Sequence, residues 1–140
     1  MNEEMKRLIM MENYQNPKNR GLIDNKDYCT INTNSKSCID QIDLQVKFND
    51  GVIEDIRFDG EACAICTSTT SIMIGLLIGK TKEQALEIIE NYKNMIDEKE
   101  YNFEILKEAI VYSDISKEPN RKNCALLTWN GMEELINKDR

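Results

Sequence analysis

The sequence predicts an α+β fold: a small antiparallel sheet of about three strands, with helices packed on one side. Two observations carry this. From Cys38 to Phe48 apolar and polar residues alternate with a period of two, and Asn49-Asp50-Gly51 then turns the chain into a second alternating run. After Gly60 the spacing of apolar residues changes to that of helices and stays so to the end. Strands early and helices late give segregated layers rather than a parallel α/β sheet. At 140 residues, 41% hydrophobic and 31% charged, the chain has the size and composition of one domain spanning residues 1–140.

The elements follow in order. Residues 3 to 14 read as an amphipathic helix, with Met5, Leu8, Ile9, Met10, Met11 and Tyr14 on its apolar side. The methionines suit a core or a docking face. Asn16-Pro17-Lys18-Asn19-Arg20-Gly21 ends this helix. Tyr28 to Thr33 forms a short strand, with Cys29 expected in the core. In the next strand Cys38, Asp40, Ile42, Leu44, Val46 and Phe48 share one face. Val52, Ile56 and Phe58 continue that face on the return strand, where Glu54 breaks the pattern.

A helix from just after Gly60 to about Ile78 carries Ile65, Ile72, Met73, Leu76 and Leu77 as its apolar stripe, and Gly79 caps its end. The hydroxyl run Thr67 to Ser71 is weak for helicity but small enough for close packing. Thr81-Lys82-Glu83-Gln84 is a capping box that opens the next helix, whose stripe is Ala85, Leu86, Ile88, Ile89, Tyr92 and Met95 or Ile96. A shorter helix is expected near Phe103 to Ile110, then a loop over Tyr112 to Glu118. Pro119 sits early in a last helix carrying Ala125, Leu126, Trp129, Met132, Leu135 and Ile136.

Composition excludes several function classes. The net charge is −7, and no basic run or basic–aromatic interleaving is present, so neither nucleic acid nor an anionic membrane is an expected partner. The apolar run Ile72 to Ile78 is too short to span a bilayer, and Met1-Asn2-Glu3-Glu4 has no secretion-signal character. A cytoplasmic location follows as the expectation. The five cysteines then read as reduced thiols for metal or catalysis rather than as disulfides. The chain contains no histidine, which removes histidine bases and histidine metal ligands.

Chemistry concentrates at the ends of elements. Cys63 lies at a strand-to-helix junction, where helix N–H groups are expected to lower its pKa and favour thiolate. Cys124 lies near the start of the last helix, in a similar setting. Cys38 and Asp40 leave one strand on the apolar face, and a buried carboxylate needs a partner or a ligand. Three thiols and a carboxylate can fill a tetrahedral zinc site. Cys38, Asp40, Cys63 and Cys124 are therefore candidate metal ligands. Cys66, three residues after Cys63, is a possible alternative. The same residues also fit plainer readings: Cys63 and Cys66 as small core residues, Cys124 as a buried structural thiol, and Asp40 as a solvated strand end.

The pieces together resemble the SufU-type iron–sulfur cluster assembly proteins, within the IscU/NifU N-terminal scaffold group. Tyr14-Gln15-Asn16-Pro17-Lys18-Asn19-Arg20-Gly21 is similar to the family's Y-x-N-P-R-N-x-G. Cys38-Ile39-Asp40 is similar to C-G-D, and Phe58-Asp59-Gly60-Glu61-Ala62-Cys63-Ala64-Ile65 to F-x-G-x-G-C-x-I. Arg121-Lys122-Asn123-Cys124-Ala125-Leu126-Leu127-Thr128-Trp129 is similar to R-x-x-C-A-x-L-x-W. Ile39 and Ala62 stand where the family has glycines, and Cys66 where no cysteine is expected. Two features point to the SufU branch: no histidine precedes the last cysteine, and 60 residues separate Cys63 from Cys124, room for an inserted helical segment.

The resemblance implies zinc on Cys38, Asp40, Cys63 and Cys124. It implies a sulfurtransferase that accepts persulfide sulfur from a SufS-type cysteine desulfurase and stimulates it, with Cys38 as acceptor and Arg121 assisting. Downstream cluster assembly proteins are further implied partners. Two alternatives accompany this reading: a non-enzymatic scaffold or carrier holding iron or an iron–sulfur cluster on the same ligands, and a domain in which zinc only supports the fold.

Overall fold

A computed structural model of the chain describes residues 1–34 and 40–139, side chains included. Helix α1 spans Glu3–Gln15 and begins at Asn2, whose side chain accepts the Met5 N–H at 2.8 Å. Its apolar side divides. Ile9 and Met10 pack on the core, whereas Met5, Leu8 and Met11 face outward.

Strands β1 (Cys29–Asn34), β2 (Gln41–Asn49) and β3 (Val52–Glu61) form one antiparallel sheet in the order β1-β2-β3. The β2–β3 turn has positive φ at both Asp50 and Gly51, as the tight Asn-Asp-Gly signal requires. The strand expected from Cys38 begins at Gln41. Asp40 lies just before it, and Cys38 falls outside the described residues. Cys29, expected in the core, is exposed on the edge strand β1.

The break at Glu54 has a structural cause. The register shifts at Lys47/Phe48, so that Lys47 faces Asp55 while Phe48 faces Ile53. Glu54 is the extra residue of a β-bulge, and the inward phase slips by one across it. Ile53 rather than Val52 therefore enters the core, beside Ile56 and Phe58. With Ile42, Leu44 and Val46 these residues make a fully buried sheet face. The opposite face is partly covered by the segment that follows α1. Gln45 exchanges hydrogen bonds with the Ile23 backbone (2.7 and 2.8 Å), and the Tyr28 hydroxyl donates to Asp55 at 2.6 Å.

Helix α2 (Ala64–Leu77) is buried all round from Cys66 to Ile74, not along a single stripe. It packs against α1, the last helix and the 3-10 segment Lys107–Tyr112. Its hydroxyls replace apolar contacts with hydrogen bonds. Ser68 bonds the Tyr112 hydroxyl, Thr69 the Tyr92 hydroxyl, Thr70 the Thr128 hydroxyl, and Ser71 donates to Asn13. Helix α3 (Lys82–Ile96) opens with the expected capping box and buries the expected stripe, except that Leu86 is only partly buried. The helix expected near Phe103 to Ile110 is two 3-10 segments, Phe103–Ile105 and Lys107–Tyr112, and a third, Ile115–Lys117, lies within the expected loop. Helix α4 (Pro119–Lys138) has Pro119 in its first turn. It stacks Trp129 on Tyr92 with ring centroids 3.7 Å apart. Among the described residues no helix is long and apolar enough to cross a membrane.

Candidate metal centre

Three of the four predicted ligands meet at one end of the sheet. Asp40 sits where the chain enters β2. Cys63 is the N-cap of α2, placed there by the end of β3, which pairs with the start of β2. Cys124 comes from the second turn of α4, five residues after Pro119. One oxygen of Asp40 and the sulfurs of Cys63 and Cys124 all lie within 4.8 Å of one another. Zinc bonds of about 2.3 Å to sulfur and about 2.1 Å to oxygen, at tetrahedral angles, place two such ligands about 3.6 Å apart. Cys63 Sγ and Asp40 Oδ2 are 3.4 Å apart. The donor set and its spacing fit a zinc ion.

The closeness of Gly60 to β2 helps bring these parts together. Gly60 has φ +139°, and a Cβ built there would meet the Gln41 carbonyl oxygen at 2.1 Å. Only glycine lets β3 run against β2 at the point where Asp40 and Cys63 diverge from the sheet.

Asp40 is 1% exposed, so the solvated strand-end reading does not hold. Its Oδ1 accepts the Cys63 backbone N–H at 2.7 Å, and its Oδ2 accepts the Cys63 thiol at 3.4 Å. One oxygen thus orients the carboxylate and the other faces the thiols. Nothing local in the sequence signals the Oδ1 contact, because the partners are 23 residues apart.

The expected low pKa of Cys63 is corrected by the structure. The Cys66 N–H does reach Cys63 Sγ at 3.4 Å and favours thiolate. Partial loss of water around the sulfur and the charge of Asp40 oppose it and win, holding the Cys63 thiol above its ordinary value. A cation between the ligands reverses both the charge repulsion and the preference for the thiol.

Cys66 lies in the hydrophobic core, fully buried, and does not join the Asp40, Cys63 and Cys124 group. Arg121 is exposed, one turn before Cys124 on α4, with Nε 3.5 Å from Glu118. It stands on the rim of a groove of about 570 Å³ between α1 and the start of α2, floored by Met10, Ile65 and Tyr112. Cys38, the predicted sulfur acceptor and fourth ligand, lies outside the described residues.

Residues 5–130 match the family described as the NifU-like N terminal domain. The chain belongs to that family. Within it, the chain is 33% identical over 134 residues to the zinc-dependent sulfurtransferase SufU of Bacillus subtilis (strain 168), covering 95% of this chain and 90% of the relative. It is also 33% identical over 131 residues to the iron–sulfur cluster assembly scaffold protein IscU of Streptococcus pyogenes serotype M1, covering 93% and 81%. A crystal structure from Fervidobacterium islandicum AW-1, described as a scaffold protein for iron–sulfur cluster assembly by the SUF system, superposes with a TM-score of 0.88 at 32% identity. That match covers 96% of this chain and 99% of the other. The three-stranded antiparallel sheet with its helices is thus the fold of this NifU-like family.

Proposed function

We propose that this chain is a single-domain, cytoplasmic, zinc-dependent sulfurtransferase of iron–sulfur cluster assembly, which takes persulfide sulfur from a SufS-type cysteine desulfurase, stimulates it, and passes sulfur on to cluster assembly proteins. The observation that carries this reading is the convergence of a buried Asp40 carboxylate with the Cys63 and Cys124 thiols. The similarity to a relative named as a zinc-dependent sulfurtransferase supports it.

Asp40, Cys63 and Cys124 would hold the zinc, with Cys38 as the fourth ligand. Bound there, zinc keeps cysteine ligands deprotonated at neutral pH while leaving them exchangeable. Asp40 does two jobs. Its Oδ1 fixes the Cys63 backbone, and its Oδ2 holds the Cys63 thiol proton that must leave when the centre loads. In the transfer itself the Cys38 thiolate attacks the outer sulfur of the desulfurase persulfide. A new sulfur–sulfur bond forms on Cys38, the bond to the desulfurase cysteine breaks, and that cysteine departs as thiolate. Arg121, an exposed side chain one turn from Cys124 and beside Glu118, would help to attract the anionic sulfur.

The test is sulfide production by the cysteine desulfurase with and without the zinc-loaded chain, with Cys38→Ala as control. Stimulation that Cys38→Ala abolishes is the expected result. No stimulation by folded, zinc-loaded protein would overturn the reading. The match to a relative named as a scaffold favours a second reading, in which the same ligands hold an iron–sulfur cluster. That reading predicts brown protein with visible absorbance after anaerobic purification.

A further inference from the structure

The two thiols of the candidate centre stand on different helices, and their separation depends on how α2 and α4 sit against each other. A buried pair of hydroxyls joins these helices. Thr70 and Thr128 are both fully buried, with their Oγ1 atoms 2.8 Å apart. Thr70 donates its one hydroxyl proton to the Cys66 carbonyl at 2.7 Å, so the Thr128 hydroxyl is the donor to Thr70. The N–H of the same Cys66 donates to Cys63 Sγ. A continuous strut therefore runs from the Cys63 sulfur, through the Cys66 backbone and Thr70, to Thr128, one helical turn beyond Cys124.

We infer that Thr70 and Thr128 are positioning residues that fix the separation of the Cys63 and Cys124 thiols, an inference that rests on the zinc reading above. The magnitudes favour a hydrogen bond over an apolar contact. Sliding α4 by one residue moves Cys124 by about 1.5 Å along the helix. Metal–ligand distances tolerate about 0.2 Å. Two valines would fill the same volume but resist a slide only weakly, whereas a hydroxyl pair is satisfied at one alignment alone. The contacts occur in the same order on both helices, Cys63 with Cys124 and Thr70 with Thr128, so a slide of α4 that disturbs one pair disturbs the other. The neighbouring bond from Trp129 to Thr69 joins the same helices, and Tyr92 of α3 bonds both Thr69 and the Ala125 carbonyl. Those aromatic side chains also fill the core, so the threonine pair is the part that can be removed alone.

Thr128→Val is the least disruptive variant, because Thr70 keeps its bond to the Cys66 carbonyl. The full chain is loaded with Zn²⁺ in competition with a chromophoric chelator, and with Co²⁺ to record thiolate charge-transfer and ligand-field absorbance. Melting of the metal-free protein is followed in parallel. The expected result is a loss of zinc affinity of about tenfold or more, in the range found when groups supporting metal ligands are removed. The Co²⁺ bands change with it, and the metal-free melting temperature falls by less than about 5 °C. Thr128→Ser, which keeps the hydroxyl, restores affinity and spectrum. Native-like affinity and spectrum in Thr128→Val would overturn the inference. So would a serine variant as weak as the valine one, or a metal-free protein that no longer folds with valine but does with serine and binds zinc no better for it. Asp40→Ala on the same readouts separates the two levels. If Asp40→Ala loses metal while Thr128→Val does not, only the positioning inference fails; if Asp40→Ala binds zinc and cobalt as the native chain does, the metal centre itself fails.

Discussion

Asp40 holds Cys63 at two points, through the backbone N–H at 2.7 Å and the thiol at 3.4 Å, although 23 residues separate them. The pair fastens the start of β2 to the start of α2. It also brings a buried carboxylate up against two thiols, a donor set suited to a cation.

Replacing Asp40 by alanine removes one ligand and the clamp on the Cys63 backbone. Zinc affinity is expected to fall by at least about tenfold, and sulfur transfer to change with it. Chelator competition and metal analysis of the purified variant check this. Unchanged zinc content would remove Asp40 from the ligand set.

Cys66→Ser is expected to keep zinc stoichiometry, because Cys66 lies in the core and outside the ligand group. Its cost is in stability, about 1–3 kcal/mol for burying a hydroxyl among apolar neighbours. Denaturant unfolding measures the second effect and metal analysis the first. Cys124→Ser, measured alongside, is expected to lose metal.

Gly60→Ala is expected to destabilise the chain by about 2–4 kcal/mol, since φ is +139° and the new Cβ meets a backbone oxygen. The displaced oxygen belongs to Gln41, next to Asp40, so zinc affinity falls as well. Urea unfolding with and without zinc separates the two effects. A variant as stable as the native chain would show that β2 and β3 can part there freely.

The metal-free protein is expected to lose stability at alkaline pH. The Cys63 pKa is raised by burial first and then by Asp40, and those of the buried Tyr92 and Tyr112 are raised by burial. A raised folded pKa means that the folded state holds its proton longer than the unfolded state does. Stability is therefore complete below the unfolded thiol and phenol values, about 8.5 and about 10. It falls as pH rises from there through the folded values. Melting temperature against pH tests this, and Cys63→Ser is expected to lessen the part of the slope that begins in the thiol range while leaving the tyrosine part.

Much of the fold was legible because its signals are local. Alternation marked β2, Asn-Asp-Gly marked the turn, and Thr81 to Gln84 marked the start of α3. The candidate ligands were legible as cysteines and an aspartate at element ends, and the chain's motifs already pointed to the family that the comparisons establish. The misreadings arose where a neighbour distant in sequence decides. Glu54 broke a pattern that only the partner strand explains as a bulge. Cys29 sits in a strand-like run, but its strand is an edge and the residue is exposed. The hydroxyl run of α2 was readable as a closely packed stretch, but its hydrogen-bond partners, Tyr112, Tyr92, Thr128 and Asn13, come from other elements and leave no local signal.

The sequence by itself determined the order and type of the main elements, the inward face of β2 and the identity of the candidate ligands. Side-chain periodicity and turn chemistry are written within a few residues of each other, so they need no distant partner. Only the tertiary structure decided that Asp40 is buried, that the Cys63 thiol is held above its ordinary pKa, that Cys66 belongs to the core, and which hydroxyls join α2 to α4. Those properties depend on solvent exclusion and on contacts across 23 to 60 residues of chain, and both arise only when the helices close over the sheet.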